Sequence, residues 1–370
     1  MNAKRAFLIL SAAAALRCAA DTAWVVHPGS SATKRPLLHT CRNHGKPRKI
    51  AVDWTKWGKY PSLRVRDEKG SIFAGINTRG LALIQMAGDP NRDPNPELTP
   101  KTRTGGRLLV SIAAKCANAR EAVETIRANI KSGKFFGGCI YLVADTKEAH
   151  VVECSPRHFS TWQLPHSFCV YTNSWKLPGM DDASTADADR ARYLYQKEWI
   201  VRKALRRAML YGGGISVAES VAASRINVED ARKLMPEKEK GMTLPITAAV
   251  GDKYAYGAVL FDIDAEYPAL LSCVYLAVGH QRKVMYLPLP LGAAEDILKD
   301  DAFLRAAADT RRAAKQEFRF IADFAKTKAE ARKLLAGGDG AGAKKLLVDM
   351  VKNNLAALAG NTPKAGGESK

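Results

Sequence analysis

The stretch DTAWVVHPGSSATKRPLLHTCRN, residues 21–43, decides how the chain folds. Two short runs in it, residues 22–26 and 37–41, are apolar and rich in β-branched or aromatic residues, which favour strands. A connection rich in Pro, Gly and Ser separates the two runs. This composition predicts a β-hairpin with a long turn, and the other segments of the chain are expected to assemble around it.

Residues 1–20 have the composition of a secretory signal peptide. A basic start at Lys4 and Arg5 precedes an apolar run over residues 6–16, and small residues end the segment. The run is shorter than the roughly 20 residues that a membrane-spanning helix needs. We therefore predict a signal peptide that is cut after Ala20, export to the periplasm or the extracellular space, and no transmembrane segment in the mature chain.

Cleavage after Ala20 would make Asp21 the first residue of the mature chain and the start of a buried strand. Its free α-amine would be a base inside the protein, as in N-terminal-nucleophile chemistry, which uses Cys, Ser or Thr rather than Asp at that position. Cys18 is the alternative nucleophile and the alternative start of a lipoprotein, although Arg17 stands where lipoprotein processing requires a small residue. Because strand side chains alternate, Cys18 and Thr22 have the wrong parity to replace Asp21 unless the chain bulges.

The chain is strongly basic, with a formal net charge of +20 over 370 residues, and this favours anionic partners. Ten Lys or Arg residues and one acid, Asp53, lie between Lys34 and Arg66. They form either a solvated basic surface or a group beside the first hairpin that attracts a carboxylate or phosphate ligand. No zinc spacing, RNA-binding aromatic signature or basic zipper accompanies the charge, so we predict no nucleic-acid partner.

The cysteines form no CxxC motif and no Cys/His cluster, so we predict neither a metal nor a cofactor. Residues 139–145 and 149–154 have the pattern of two strands around a polar turn, and their pairing places Cys139 opposite Cys154. In an oxidising compartment this pair can close a disulfide. The alternative, which we favour, is two buried thiols.

The remaining sequence alternates groups of strands with helices. Residues 71–75 and 81–86 predict a second hairpin, because Asn77 and Gly80 permit a tight turn between them. Residues 88–104 contain four prolines and predict a loop, and an apolar run follows. Helices are predicted at 118–132 behind an Asn118 cap, at 190–210 before a glycine triplet, at 217–223 and at 228–235. Further strands are predicted at 168–172, 246–250, 254–262, 270–278 and 284–287.

Two groups of strands separated by helices predict an α+β layered sandwich. After residue 292 the sequence becomes Ala-rich, charged and helical, and its apolar stripes can pack on the domain or against a second copy of the chain. We therefore predict a main domain at 21–292, a helical extension at 293–360 and a disordered tail at 361–370.

Several segments between residues 21 and 292 stand in an informative order: TAWVV at 22–26, RPLL at 35–38 with RN at 42–43, GINTRGLA at 75–82, AD at 144–145 with VVECSP at 151–156, YTNS at 171–174, and the run 270–279. Together they resemble the linear amide C–N hydrolases of the Ntn-hydrolase superfamily, the group of choloylglycine hydrolase, penicillin V acylase and isopenicillin N acyltransferase. The resemblance implies a four-layer αββα sandwich, and hydrolysis or transfer of an acyl group at a linear amide that is not a peptide bond.

The resemblance also implies roles for individual residues. In this family an N-terminal Cys attacks the amide carbonyl, its α-amine carries the proton, and an amide side chain donates to the oxyanion. Asp21 matches the nucleophile position, Arg42 the arginine that supports it, and Asn173 the position near the oxyanion. Arg190 or Arg192 matches an arginine at the start of the long helix. Each residue also has a structural alternative: Arg42 as a partner in a surface ion pair, Asn173 as a turn residue that ends a strand, and Arg190 as an exposed helix residue.

The ligand contacts implied by the resemblance are Trp24, Asn77 and Ala87, the last near a family Asn. His44 or Gly45 stands where the family has a supporting Asp. Three functions therefore compete. The chain is an exported amidase or acyltransferase, a catalytically silent relative that binds a small amide-like or anionic ligand, or a basic structural protein of the cell envelope. The C-terminal helices are also a candidate surface for homo-oligomers.

Overall fold

A computed structural model of the chain describes residues 21–43, 49–88, 105–133, 135, 137–180, 188–226, 229–230, 233, 255–309 and 314–360. The side chains of residues 188–193, 314–315 and 360 are not part of this description. The predicted signal peptide, strand 246–250 and tail lie outside it, as do nearly all of the predicted loop and most of the predicted helix 228–235. Within the described ranges, no helix combines the length and apolarity that crossing a membrane requires.

The described strands are β1 (Thr22–Val26), β2 (Leu37–Asn43), β3 (Ile50–Thr55), β4 (Ser62–Asp67), β5 (Ile72–Asn77), β6 (Ala82–Ala87), β7 (Cys139–Ala144), β8 (Ala149–Cys154), β9 (Phe159–Gln163), β10 (Phe168–Tyr171), β11 (Ala255–Asp262), β12 (Cys273–Val278) and β13 (Leu287–Pro290). The described helices are α1 (Gly105–Lys115), α2 (Ala119–Lys131), α3 (Ala188–Tyr211), α4 (Val217–Ala223), α5 (Pro268–Leu271), α6 (Leu291–Ile297), α7 (Ala302–Asp309), α8 (Ala314–Ala336) and α9 (Gly340–Gly360).

The strands form two antiparallel sheets. One has six strands in the order β10–β1–β2–β11–β12–β13, and the other has seven in the order β3–β4–β5–β6–β7–β8–β9. The predicted first hairpin is confirmed, with Thr22 opposite Cys41 and Val26 opposite Leu37. The predicted second hairpin is β5–β6, and Gly80 in its turn has a φ of +80°, which favours glycine. Hairpin β1–β2 lies inside the six-stranded sheet, between β10 and β11.

Alternating side chains show how the two sheets are layered. In β7, Ile140 and Leu142 belong to the core shared with the six-stranded sheet, whereas Tyr141 and Val143 pack with the apolar faces of α1 and α2. Helices α3 and α4 and the C-terminal helices cover the outer face of the six-stranded sheet. The layer order is therefore helix, sheet, sheet, helix, and the predicted α+β, four-layer αββα sandwich is confirmed.

The C-terminal helices are part of the outer helical layer. Phe320 and Phe324 of α8 are buried in the main core, and the Phe324 ring lies edge-on to Tyr275 of β12, with ring centres 6.0 Å apart. Of the two predicted alternatives, packing on the domain is the one seen. The predicted boundary between residues 292 and 293 falls inside the buried helix α6. Association of two chains through these helices stays a prediction.

Several elements differ from the predictions. Strands β3, β4 and β9 were not predicted, because charged or polar residues alternate with the apolar ones in partly exposed strands. The apolar run after residue 105 is helix α1. The predicted strand 270–278 divides into the end of α5 and strand β12, and β13 begins three residues later than predicted, at Leu287.

Candidate functional site

Asp21 lies directly before β1, in the space between the two sheets. Because side chains alternate, Asp21 and its neighbour Arg42 in β2 face the seven-stranded sheet. The Arg42 guanidinium lies 4.6 Å from the centre of the Phe73 ring in β5, and it donates a hydrogen bond of 3.4 Å to the carbonyl oxygen of Gln85 in β6. Asp21 is only 8% exposed. We call Asp21, Arg42 and Asn173 the inter-sheet site.

The Asp21 carboxylate is bound at both oxygens. Oδ2 forms an ion pair of 2.5 Å with Nη1 of Arg42, and Oδ1 accepts a hydrogen bond of 3.0 Å from the backbone nitrogen of Asn43. Burial by itself would lower the pKa of Arg42, but the charge of Asp21, together with Tyr256, raises it above its ordinary value. Arg42 is therefore a permanent cation, and its charge is balanced by the carboxylate of Asp21.

Asn173 connects the start of β1 to the opposite sheet. Its Oδ1 accepts a hydrogen bond of 2.9 Å from the Asp21 backbone nitrogen, and its Nδ2 donates one of 2.7 Å to the carbonyl oxygen of Ala87 at the end of β6. The predicted proximity of Asp21, Arg42, Asn173 and Ala87 is therefore seen, with Ala87 contributing its backbone. The amide group of Asn173 is oriented by both contacts, because the acceptor and the donor each have one partner.

Two buried glutamates hold the segment that carries Asn173. Glu198 of α3 accepts hydrogen bonds at Oε1 from the backbone nitrogen (2.9 Å) and hydroxyl (2.7 Å) of Thr172, and it pairs with Lys176. Glu153 of β8 accepts hydrogen bonds of 2.8 to 3.0 Å from the backbone nitrogens of Lys176 and Leu177. Neither glutamate was predicted; an acid inside the apolar strand β8 is the sequence signal that indicates a buried role.

Trp175, two residues after Asn173, has a buried hydrogen-bond donor that has no partner. Its ring packs directly on the backbone of Gly88, where a Cβ atom would clash, and Gly88 follows Ala87. The indole Nε1 is shielded from solvent and makes no hydrogen bond. A buried donor without a partner is costly, and such groups are found where a ligand or an ordered water completes the contact.

The opposite face of β1 and β2 carries a separate buried network. Trp24 Nε1 donates to Ser220 Oγ of α4 over 2.8 Å, and the two ring nitrogens of His39 lie 3.0 Å from Ser220 Oγ and from the Tyr286 hydroxyl. Tyr286 in turn donates to Ser224 over 2.7 Å. These partners assign the neutral tautomer with the proton on Nε2, since Tyr286 donates its one hydroxyl proton to Ser224 and therefore accepts from His39.

This network corrects the prediction that Trp24 contacts a ligand, because its side chain is fully buried beneath α4, on the other side of the sheet from Asp21. Burial, reinforced by the positive charge of Arg225, lowers the pKa of His39 well below 6.5. Burial also raises the pKa of the Cys41 thiol, whose sulfur lies 4.0 Å from His39 Nε2. Cys41 and His39 are both neutral, so they are not an activated dyad.

Asn77 is a second correction. Its side chain is fully buried at the β5–β6 turn, where Nδ2 donates hydrogen bonds of 2.9 Å to the carbonyl oxygens of Ala113 and Cys116. Asn77 Oδ1 accepts from the backbone nitrogens of Arg79 and Leu81 over 2.9 and 3.1 Å. Nδ2 attaches the turn to the end of α1 and Oδ1 closes the turn itself, so Asn77 has a structural role.

The remaining predicted residues fall partly outside the described part of the chain. Cys18, His44 and Gly45 lie outside it, and Arg190 and Arg192 belong to α3, whose first side chains are not described. The predicted register of β7 and β8 is seen: Cys139 is directly opposite Cys154, and both are free thiols. Within the described ranges, no group of three His, Cys, Asp or Glu residues is arranged to hold a metal ion.

Among the described residues of the stretch from Lys34 to Arg66, which exclude 44–48, the basic side chains do not form one patch around Asp21. Arg35 pairs with Asp262, Arg66 with Asp53, and Lys56 with Glu295. Arg42 is the residue of this stretch that the structure places against Asp21. Most of these side chains therefore belong to local ion pairs or to the solvated surface, and their placement favours the first of the two predicted interpretations.

No family model and no curated protein sequence matches the chain. Solved structures similar to it include the N-acylethanolamine-hydrolyzing acid amidase ortholog of Caenorhabditis elegans, with 11% identity, a TM-score of 0.38, and coverage of 67% of this chain and 96% of that one. Penicillin V acylase from Agrobacterium tumefaciens is 14% identical, with a TM-score of 0.41 and coverage of 72% and 84%.

A third similar structure is a variant of conjugated bile acid hydrolase from Clostridium perfringens, with 9% identity, a TM-score of 0.41, and coverage of 70% of this chain and 89% of that one. All three neighbours are, by their names, hydrolases or acylases. At these identities and TM-scores, the similarity transfers no residue's role to this chain.

Proposed function

We propose that the chain is an exported relative of the Ntn-type linear amide hydrolases, and that its inter-sheet site binds an N-acyl amide with little or no turnover. The observation that carries this proposal is the state of Asp21. Both of its carboxylate oxygens are already engaged, by Arg42 and by the Asn43 backbone nitrogen. A carboxylate is a far weaker nucleophile toward an amide than a thiolate, and one bound in this way is weaker still.

Export enters the proposal because processing after Ala20 would leave Asp21 with a free α-amine. That amine would lie at the position where the Asp21 nitrogen now donates to Asn173. There it would lie beside a carboxylate, which has no proton for it to accept, instead of beside a thiol or hydroxyl. The site then keeps the donors that bind an amide and lacks the group that attacks it.

Trp175 supports the binding half of the proposal. Its indole N–H is buried and without a partner, two residues from Asn173 along the chain. The carbonyl oxygen of an amide ligand would satisfy this donor.

The experiment that tests the proposal is Asp21→Cys in the chain processed after Ala20. Its turnover is measured on a panel of N-acyl amines and N-acyl amino acids, and intact mass establishes the first residue. We expect measurable hydrolysis by the Asp21→Cys variant and none by the wild type. Thr22→Cys is the matched control, because its thiol is one residue away but faces the helical layer, so it should stay inactive.

The competing function is an active amidase or acyltransferase that uses Cys18. Robust wild-type turnover that Cys18→Ser abolishes would establish that function and overturn ours. If Asp21→Cys remains inactive but wild type and variant both bind the panel amides, with affinity lost in Trp175→Phe, the site binds amides without an Ntn-type arrangement.

A further inference from the structure

A pocket lies on the other side of the molecule from the six-stranded sheet, where the end of α2 meets the β8–β9 turn. It has a volume of about 660 Å³, in the range of ordinary small-molecule sites. We call it the basic pocket. Its lining residues are Arg127, Ile130, Lys131, Pro156, Arg157, Phe159, Ser160 and Thr161.

The lining charges of the basic pocket all have one sign. Arg127 and Lys131 approach from α2, Arg157 approaches from the turn after β8, and no Asp or Glu belongs to this described lining. Arg127 has an acid neighbour outside the lining, Glu124, whose Oε1 lies 3.7 Å from Arg127 Nε, beyond hydrogen-bond distance. That carboxylate is 62% exposed, so solvent screens its effect on the guanidinium.

Arg127 is already oriented in the pocket. Its guanidinium lies over the Phe159 ring, 4.8 Å from the ring centre, and its Nε is shielded from solvent without a hydrogen bond. Phe159 and Ile130 provide an apolar floor beside these charges. The pocket therefore combines a preorganised planar cation, two further cations and an apolar surface.

We propose that the basic pocket binds a phosphate monoester whose organic part is apolar. A dianionic phosphate suits three converging cations better than a monoanionic carboxylate does, because its oxygens can accept from both guanidinium groups at once. The apolar part would pack on Phe159 and Ile130. This function is independent of the inter-sheet site, which lies on the far face of β5–β8.

The probe for this proposal is phenyl phosphate, titrated into the full chain and followed by calorimetry. Inorganic phosphate and phenol are titrated in parallel. We expect phenyl phosphate to bind more tightly than either, and its affinity to fall as salt is added. Arg157→Gln and Arg127→Gln should each weaken the binding about tenfold, since each removes a charge-assisted hydrogen bond. Arg157 is exposed, so its variant keeps the test valid if Arg127→Gln alters the fold.

The matched control is Arg120→Gln, which removes the same charge from the same helix two turns earlier. Arg120 is 76% exposed, pairs with Glu148 and does not line the pocket. The affinity of the Arg120→Gln variant for phenyl phosphate should stay within about twofold of the wild-type affinity. Equal losses in all three variants would mean that the net charge alone attracts the anion, and would overturn the proposal. It is overturned as well if phenyl phosphate binds no better than inorganic phosphate, or does not bind at millimolar concentration.

Discussion

The two faces of hairpin β1–β2 differ in the charge of the polar groups that they bury. On the face toward the helical layer, Trp24, His39, Ser220 and Tyr286 form a closed chain of donors and acceptors without formal charge. On the face toward the other sheet, Asp21 and Arg42 form a buried ion pair, and the indole nitrogen of Trp175, two residues from Asn173 in sequence, has no hydrogen-bond partner. Mutually satisfied neutral groups are typical of a structural core, whereas a buried ion pair is costly to desolvate. The contrast is one of charge, because Thr22 on the helix-facing side also has a buried hydroxyl without a hydrogen bond.

The largest expected effect is on the helix-facing side. Trp24→Ala should lower the free energy of unfolding by about 4 kcal/mol, because it removes a large buried ring and leaves Ser220 and His39 with an incomplete network. Urea unfolding followed by far-UV circular dichroism measures this. Trp57→Ala is the control, since Trp57 is 55% exposed and its loss should cost less than about 1 kcal/mol. Similar losses in both variants would mean that Trp24 is not part of the core.

A smaller effect is expected for the ion pair on the other face. Arg42→Gln should lower the free energy of unfolding by about 2 kcal/mol, because it leaves the Asp21 carboxylate in a site where the pair is only 16% and 10% exposed. The same urea experiment applies. Arg66→Gln breaks an ion pair whose members are 35% and 45% exposed, so it should cost under about 1 kcal/mol. Equal costs for the two arginines would show that solvent reaches the inter-sheet site freely.

The smallest expected effect is a pH dependence that only the helix-facing side produces. Burial and the charge of Arg225 lower the pKa of His39 in the folded chain. As the pH falls below 6.5, His39 therefore becomes protonated in the unfolded chain while it is still neutral in the folded chain. The free energy of unfolding should therefore be unaffected by His39 above pH 6.5 and should fall by up to about 1.4 kcal/mol per pH unit below it.

Urea unfolding at intervals between pH 7.5 and pH 5 measures this slope. His39→Gln should be less stable at pH 7.5 but should lose most of the slope. His27→Gln is the control: burial and His166 lower the pKa of His27 only moderately at a partly exposed position, so this variant should keep nearly the wild-type slope. A slope that survives in His39→Gln would place the responsible proton elsewhere.

Local sequence determined much of this fold. Apolar alternation located β1, β2, β5 and β6, the Asn118 cap located the start of α2, and the polar turn after β7 fixed the pairing of Cys139 with Cys154. These signals are short-range: a strand's period, a cap and a turn act over a few residues. The strand and helix pattern predicted a layered α+β sandwich, and the resemblance added the four-layer αββα order and a shared site for Asp21, Arg42 and Asn173.

The tertiary structure alone decided which face each side chain occupies and what completes its contacts. Trp24 and Asp21 lie three residues apart in sequence, yet Trp24 is under α4 and Asp21 faces the seven-stranded sheet. Alternation predicts that they lie on opposite faces of the strand, but the packing of the helices and of the second sheet decides what each face contacts. Glu153 and Glu198 reach the Asn173 segment from elements 20 or more residues away in sequence. Arg157 and Arg127 line the same pocket only because the turn after β8 folds against α2. Such contacts depend on packing between distant segments, which residue patterns do not encode locally.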